Sequence, residues 1–186
     1  MFPRAAFVPP EHAARAYADA PVPIARDQVT TQPSLVAAMI DALGLAGDER
    51  VLEVGTGLGW QTALLSRLAR EVVSVERWPD LAASARENLV RAEVANAAVF
   101  VGDGSLGWPE HAPYDAILVS AAFPDVPGPL SEQLTRSGRL VMPIGRGGAE
   151  RVLLFAPAPD GLRPVRTVTD AHFVRLIGAH AFPETE

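Results

Sequence analysis

The chain has 186 residues, 48% of them hydrophobic and 20% charged, which suits one soluble domain with a substantial core and argues against disorder. It contains no cysteine, so disulfides, thiolate catalysis and Cys-based zinc sites are excluded. Net charge is −6, and its 16 basic residues, all Arg, never form a run longer than one, so a nucleic-acid partner is not expected.

The first 33 residues carry six prolines (Pro3, Pro9, Pro10, Pro21, Pro23 and Pro33), a density that prevents long helices and central strands. They read as an ordered arm over the core, with one short helix over Glu11–Ala20. Residues 1–10 lack the apolar stretch of a signal peptide, and no later window approaches a membrane span, so the cytoplasm is the expected compartment. From Ser34, either an N-cap or a first-turn residue, Leu35, Met39 and Leu43 fall at helical spacing, and Gly44 and Gly47 end that helix. Val51–Val54 reads as a buried strand, Gly59–Arg70 as a helix, Val72–Val75 as a strand, and Pro79–Ala92 as a helix with proline in its first turn. Strands follow at Val99–Val101 and Ala116–Val119, then a short helix at Leu130–Leu134. Further strands are expected at Arg139–Ile144, Arg151–Phe155 and His172–Ile177, with a surface loop at Ala156–Pro164. Strands alternating with helices imply an α/β fold with a parallel sheet covered on both faces. Its chemistry is expected at the carboxyl ends of the strands.

Glu53-Val54-Gly55-Thr56-Gly57-Leu58-Gly59-Trp60 joins a predicted strand to a predicted helix. Glycines let backbone turn tightly and approach a ligand. The dinucleotide fingerprint needs its third glycine where Trp60 stands. The spacing found instead, with Glu53 inside the strand, resembles the first motif of the Rossmann-like methyltransferases, which bind S-adenosylmethionine. Glu76 ends the next strand, 21 residues beyond Gly55, where an acid can accept from ribose hydroxyls. Gly102-Asp103-Gly104 closes the third strand, and Asp103 there can accept from an adenine amine. Of these features taken alone, Glu76 reads better as a solvated strand-end residue and Gly102-Asp103-Gly104 as a plain turn. Three at successive strand ends outline a nucleoside pocket. Asp115 sits at an amino end and reads as structural. The four histidines are scattered without metal-ligand spacing, and no serine has a nucleophile-elbow context, so neither a metal nor acyl transfer is expected.

Further stretches, in order along nearly the whole chain, resemble the protein-L-isoaspartate O-methyltransferase family. They include Arg4–Pro9, Ala16–Ile24, Gln28–Pro33, Gly102–Gly104 with Gly107–Glu110, Ala112–Asp115, Ser120-Ala121-Ala122, Gly138–Gly145 and Phe173–Leu176. The resemblance implies a class I methyltransferase fold, a seven-stranded mostly parallel sheet with helices on both faces, as one domain over 1–186. Within it, 1–33 would be a substrate-covering arm and 34–186 the S-adenosylmethionine-binding core. It implies methyl transfer to the α-carboxyl of L-isoaspartyl residues in damaged proteins, by a monomer. Cofactor contacts would come from Glu53, Gly55, Thr56, Gly57, Gly59, Glu76, Asp103 and Gly104. Thr31, where the family usually has Ser, would be the active-site hydroxyl. Thr30, Gln32, Pro33, Ala121 and Ala122 would lie on the substrate side. Asp27 and Val29 stand where the family usually has Gly and Thr. The alternatives are a related methyltransferase with another carboxylate or small-molecule acceptor, and a non-catalytic S-adenosylmethionine-binding relative.

Overall fold

The computed structural model describes residues 2–146 and 148–184, so the extreme ends of the expected 1–186 span lie outside the described residues. In the arm, two 3-10 turns, Arg4–Phe7 and Pro10–Arg15, precede a small antiparallel ladder of β1 (Val22–Pro23) and β2 (Val29–Thr30). The helix expected over Glu11–Ala20 is therefore a 3-10 segment that stops at Arg15. Phe7, Val8, Ala16, Val22 and Ile24 anchor the arm by burial.

Next come α1 (Pro33–Leu43), β3 (Arg50–Val54), α2 (Trp60–Ser66), β4 (Glu71–Glu76), α3 (Pro79–Arg91) and β5 (Ala97–Val101). They are followed by β6 (Tyr114–Val119), α4 (Gly128–Glu132), β7 (Leu134–Ile144), β8 (Glu150–Ala158) and β9 (Gly161–Ala171). Ser34 sits in the first turn of α1, and its N–H is capped from outside by Asp19 Oδ1 at 2.9 Å. Gly44 ends the helix with φ 57°, a left-handed position that favours glycine. Leu134, expected in a helix, opens β7 instead.

The seven-stranded sheet has the order β5-β4-β3-β6-β7-β8-β9. The pairings from β5 through β7 are parallel, and β7-β8 and β8-β9 are antiparallel. Central strands are mostly apolar on both sides because both faces are covered, with Glu53 and Ser74 the buried polar exceptions inside β3 and β4. Val51, Val72, Ala116 and Leu118 face α1 and α2. Leu52, Val54, Val73, Ile117 and Val119 face α4 and the chain's last turns. Strand order reverses between β3 and β6, and that switch point opens a crevice at the carboxyl ends.

The seventh strand differs from the sequence expectation. It is Gly161–Ala171, paired with β8 through a two-residue turn at Pro159–Asp160, so Ala156–Pro164 is a hairpin rather than a loop. β9 is an edge strand with mostly exposed side chains, which removes the apolar alternation by which a strand is recognised. Residues 172–177 instead cross the end of the sheet, held by a bridge from Arg175 to Ala122 just past β6 and by a hydrogen bond from Phe173 N to Glu150 Oε2 on β8 at 3.0 Å.

Candidate active site

A cleft of about 910 Å³, counted to its open mouth, lies at the switch point. Six segments converge on it. The end of β3 contributes Val54 and Gly55–Leu58, the end of β4 Val75 and Glu76, and the turn after β5 Gly104. The end of β6 contributes Ser120 and Ala121, and the arm contributes Ile24 and Gln28–Thr31. Residues 174–177 close the remaining side. Thr31 and the glycine loop, more than twenty positions apart in sequence, thus share one wall-to-wall space.

The glycine loop can run close under a ligand because Gly55 and Gly57 adopt φ 94° and 55°, conformations that side chains disfavour. Gly57 N donates to Glu76 Oε2 at 2.8 Å, and Trp78 N donates to Glu76 Oε1 at 3.0 Å. Glu76 is 5% exposed and lines the cleft. Burial pushes its carboxyl above the ordinary range, and the Trp78 and Gly57 N–H groups pull the other way. At Gly104 any Cβ would overlap Val54 Cγ1, so the floor has no room for a side chain there.

Glu53 does not reach the cleft. It is fully buried beneath the loop, where Oε2 accepts from Thr62 Oγ1 at 2.5 Å and Ser74 Oγ at 2.6 Å. Its Oε1 accepts from Gln61 Nε2 at 2.9 Å. Thr56 Oγ1 meets Ser74 Oγ at 2.5 Å, so the network ties the loop's own hydroxyl to the strand below. Gln61 Nε2 also donates to Ser120 Oγ at 3.0 Å, linking β6 to the same hub. Burial, with no cation paired to it, pushes Glu53 up to about 7 against the pull of its three donors.

Asp103 stands at the expected strand end, but its carboxylate faces the chain's last turns. Oδ1 accepts from Ser105 N and Ser105 Oγ at 2.9 and 2.7 Å, and Oδ2 accepts from Ala179 N at 2.7 Å. Burial works to raise its carboxyl, and those donors outweigh it, holding Asp103 below the ordinary range.

Of the remaining expected residues, Thr30, Thr31, Gly55, Thr56, Gly57, Gly104 and Ala121 line the cleft, whereas Gln32, Pro33, Gly59 and Ala122 do not. Gln32 is turned to Ser34 Oγ. Pro33 starts α1, and Gly59 packs on Ala85 and Leu89. Ala122 acts through its backbone: its N donates to Val174 O and its O accepts from Leu176 N, both at 2.8 Å, which holds 174–177 over the cleft. Asp115 is structural, its Oδ2 accepting from Arg50 N at 2.9 Å. Asp27 has φ 54°, a left-handed position that Asp tolerates better than most residues and glycine best. Sequence reasoning did not single out Gln61, Trp78 and residues 174–177 as cleft elements. Gln61 left a signal, a polar residue on the buried side of a helix. The crossing segment left only the family-like stretch Phe173–Leu176, which does not tell that the fold brings it to the cleft. Among the described residues no group of three or more His, Asp or Glu has a geometry for a metal ion.

A sheet reversing at β3 and β6, a glycine turn at the switch point and a buried acid at the end of the next strand define the Rossmann-like methyltransferase class. The family model for protein-L-isoaspartate(D-aspartate) O-methyltransferase matches residues 1–181, and the chain belongs to that family. A protein-L-isoaspartate O-methyltransferase of Anaeromyxobacter dehalogenans is 54% identical over 175 residues, covering 93% of this chain and 84% of that protein. One of Myxococcus xanthus is 51% identical over 178 residues, covering 94% of this chain and 84% of that protein. A solved structure described as protein-L-isoaspartate O-methyltransferase superposes with a TM-score of 0.83 at 29% identity, covering 96% of this chain and 59% of that one.

Proposed function

We propose that this chain transfers a methyl group from S-adenosylmethionine to the α-carboxyl of L-isoaspartyl residues in damaged peptides and proteins. The observation that carries the reading is the shared cleft: the arm's Thr30 and Thr31 face the same space as Gly55–Gly57 and Glu76. The cleft's residues fit the cofactor. Glu76 is a buried acceptor with no cation on it, suited to ribose hydroxyls. The glycine backbone and Gly104 leave room beside it. Asp103, beside the cleft and not in its lining, keeps spare acceptor capacity on Oδ2 for an adenine amine. Glu53 and Thr56 serve by holding the loop in shape, and Gly59 by seating it on α3. When bound, the cofactor supplies a methyl group already activated on a sulfonium.

The acceptor carboxylate is ionised at neutral pH, so no general base is required. The chain's task is alignment, worth about 7–11 kcal/mol in favourable cases. The Thr31 hydroxyl donates to one carboxylate oxygen and so turns the other toward the methyl donor. Thr30, Ala121 and the backbone held by Ala122 border the acceptor, and Gln32 and Pro33 set the start of α1 behind Thr31. Ile24, Val29 and Trp60 contribute apolar wall, which excludes water. In this division of labour the arm, 1–33, covers the substrate and residues 34–186 bind the cofactor.

The same reading makes the protein a monomer of the cytoplasm acting on polypeptide rather than nucleic acid. In support, the basic residues are dispersed, and no described helix is long and apolar enough to cross a membrane. The test is labelled methyl transfer to a pair of peptides differing only in an isoaspartyl or aspartyl linkage. Labelling of the isoaspartyl peptide with little of its partner is expected. Equal labelling, or better labelling of an unrelated acceptor, refutes the substrate. Cofactor binding without turnover on any acceptor refutes the enzyme.

A further inference from the structure

The alignment described above leaves the most deeply buried charge of the arm without a role. Arg4 is 1% exposed. Its Nη1 donates to the carbonyls of Ala16 at 2.8 Å and Ala18 at 3.4 Å. Its Nη2 donates to those of Ala20 at 3.3 Å, Thr30 at 3.1 Å and Thr31 at 3.0 Å. The guanidinium carbon also lies 5.4 Å from the ring centre of Trp60, a residue of the cleft wall. Among the described residues no carboxylate comes within ion-pair distance of Arg4. A charge buried against neutral carbonyls, with Asp19 acting on it only from beyond ion-pair distance, is expensive to desolvate. Its fork of N–H groups reaches several acceptors at once, which a lysine ammonium does less well.

The place where that fork ends is informative. The β1–β2 ladder stops at Thr30 and α1 begins at Pro33, so Thr31 belongs to neither. The bond from Arg4 is the one found on the Thr31 backbone among the described residues. Without it, nothing in the ladder or the helix fixes the peptide plane that carries the Thr31 side chain into the cleft.

We propose that Arg4 is a positioning residue for methyl transfer, fixing through the Thr30 and Thr31 carbonyls where the Thr31 hydroxyl meets the acceptor carboxylate. This rests on the role of Thr31 proposed above. A residue that merely knitted the arm together would lower stability when replaced and leave the folded fraction fully active. A positioning residue lowers turnover in protein that is folded and binds cofactor, since displacements on the ångström scale are costly to aligned reactions.

The experiment is a double-mutant cycle in the full chain, with Arg4→Lys and Arg4→Gln each made alone and together with Thr31→Ala. Folding is followed by near-ultraviolet circular dichroism and cofactor Kd by calorimetry. In the Thr31 background, kcat on the isoaspartyl peptide is expected to fall about tenfold or more, with Lys milder than Gln and cofactor Kd within about twofold of wild type. With Thr31→Ala present, the same Arg4 changes are expected to lower kcat by less than about twofold. A fall of equal size in both backgrounds, or none in either, overturns the proposal. If Thr31→Ala alone leaves kcat and KM at wild-type values, the role of Thr31 fails and the positioning role of Arg4 falls with it. Should Arg4→Gln fail to fold, Arg4→Lys, which keeps the charge and three donors, decides the outcome by the same comparison.

Discussion

Replacing Glu53 by Gln tests whether the hub under the glycine loop is a strained charge. Glu53 is fully buried, receives three side-chain donors and has no cation, so its carboxyl sits near 7 in the fold against an ordinary 4.5. The folded state therefore binds the proton more tightly than the unfolded chain does. Between those two values the folded form holds more protons, so stability falls as pH rises through the window and levels off above it. From pH 5 to 7.5 the loss attributable to this one group is about 2 kcal/mol. Gln is nearly isosteric and cannot ionise, so it removes that slope. Its amide also donates where Glu53 only accepts, and the Thr62 and Ser74 hydroxyls can rotate to receive it. The assay is urea unfolding of both proteins at the two pH values. Every other titrating group is common to both, so the quantity to read is the change with pH in the difference between them. The Gln variant is expected to gain about 2 kcal/mol relative to wild type on going from pH 5 to 7.5. A difference that is the same at both pH values refutes the account of Glu53 as a buried, cation-free acid.

Three further outcomes are expected. Glu76→Ala should raise cofactor Kd about 10- to 100-fold by calorimetry, because a buried charged acceptor is lost; an unchanged Kd removes Glu76 from the nucleoside site. Gly104→Ala should destabilise the protein by about 1–3 kcal/mol through overlap with Val54, and Val54→Ala should recover part of that loss. Chemical denaturation of the two single variants and the double variant measures this, and strictly additive losses contradict the overlap. Asp103→Ala should speed hydrogen exchange at Ala179, whose N–H loses its acceptor, and weaken cofactor binding. Exchange at the wild-type rate would show the contact to be unimportant, and an unchanged Kd would end the reading of Asp103 as an adenine acceptor.

The central sheet was legible because strands covered on both faces are mostly apolar, and Val51–Val54, Val72–Val75 and Ala116–Val119 are apolar but for Glu53 and Ser74, which bond to each other. The glycine turn was legible because residues 55 and 57 need backbone conformations that glycine adopts freely. Edge strand β9 was not, since an exposed edge has no apolar face to announce it. Nor does sequence show which way an acid points. Glu53 turns under the loop toward Thr62, and Asp103 turns toward Ala179, because their donors come from helices and turns placed by packing.

Local order alone thus determined the strand–turn–helix units and the residue types at their ends, for these depend on short-range sterics and burial periodicity. Tertiary structure decided the rest. It brought the arm's Thr31 against a loop built from β3, hung residues 174–177 across the mouth from Ala122, and set a lone arginine where five carbonyls meet. Contacts between distant segments arise from how whole faces pack, and no periodicity along the chain records them.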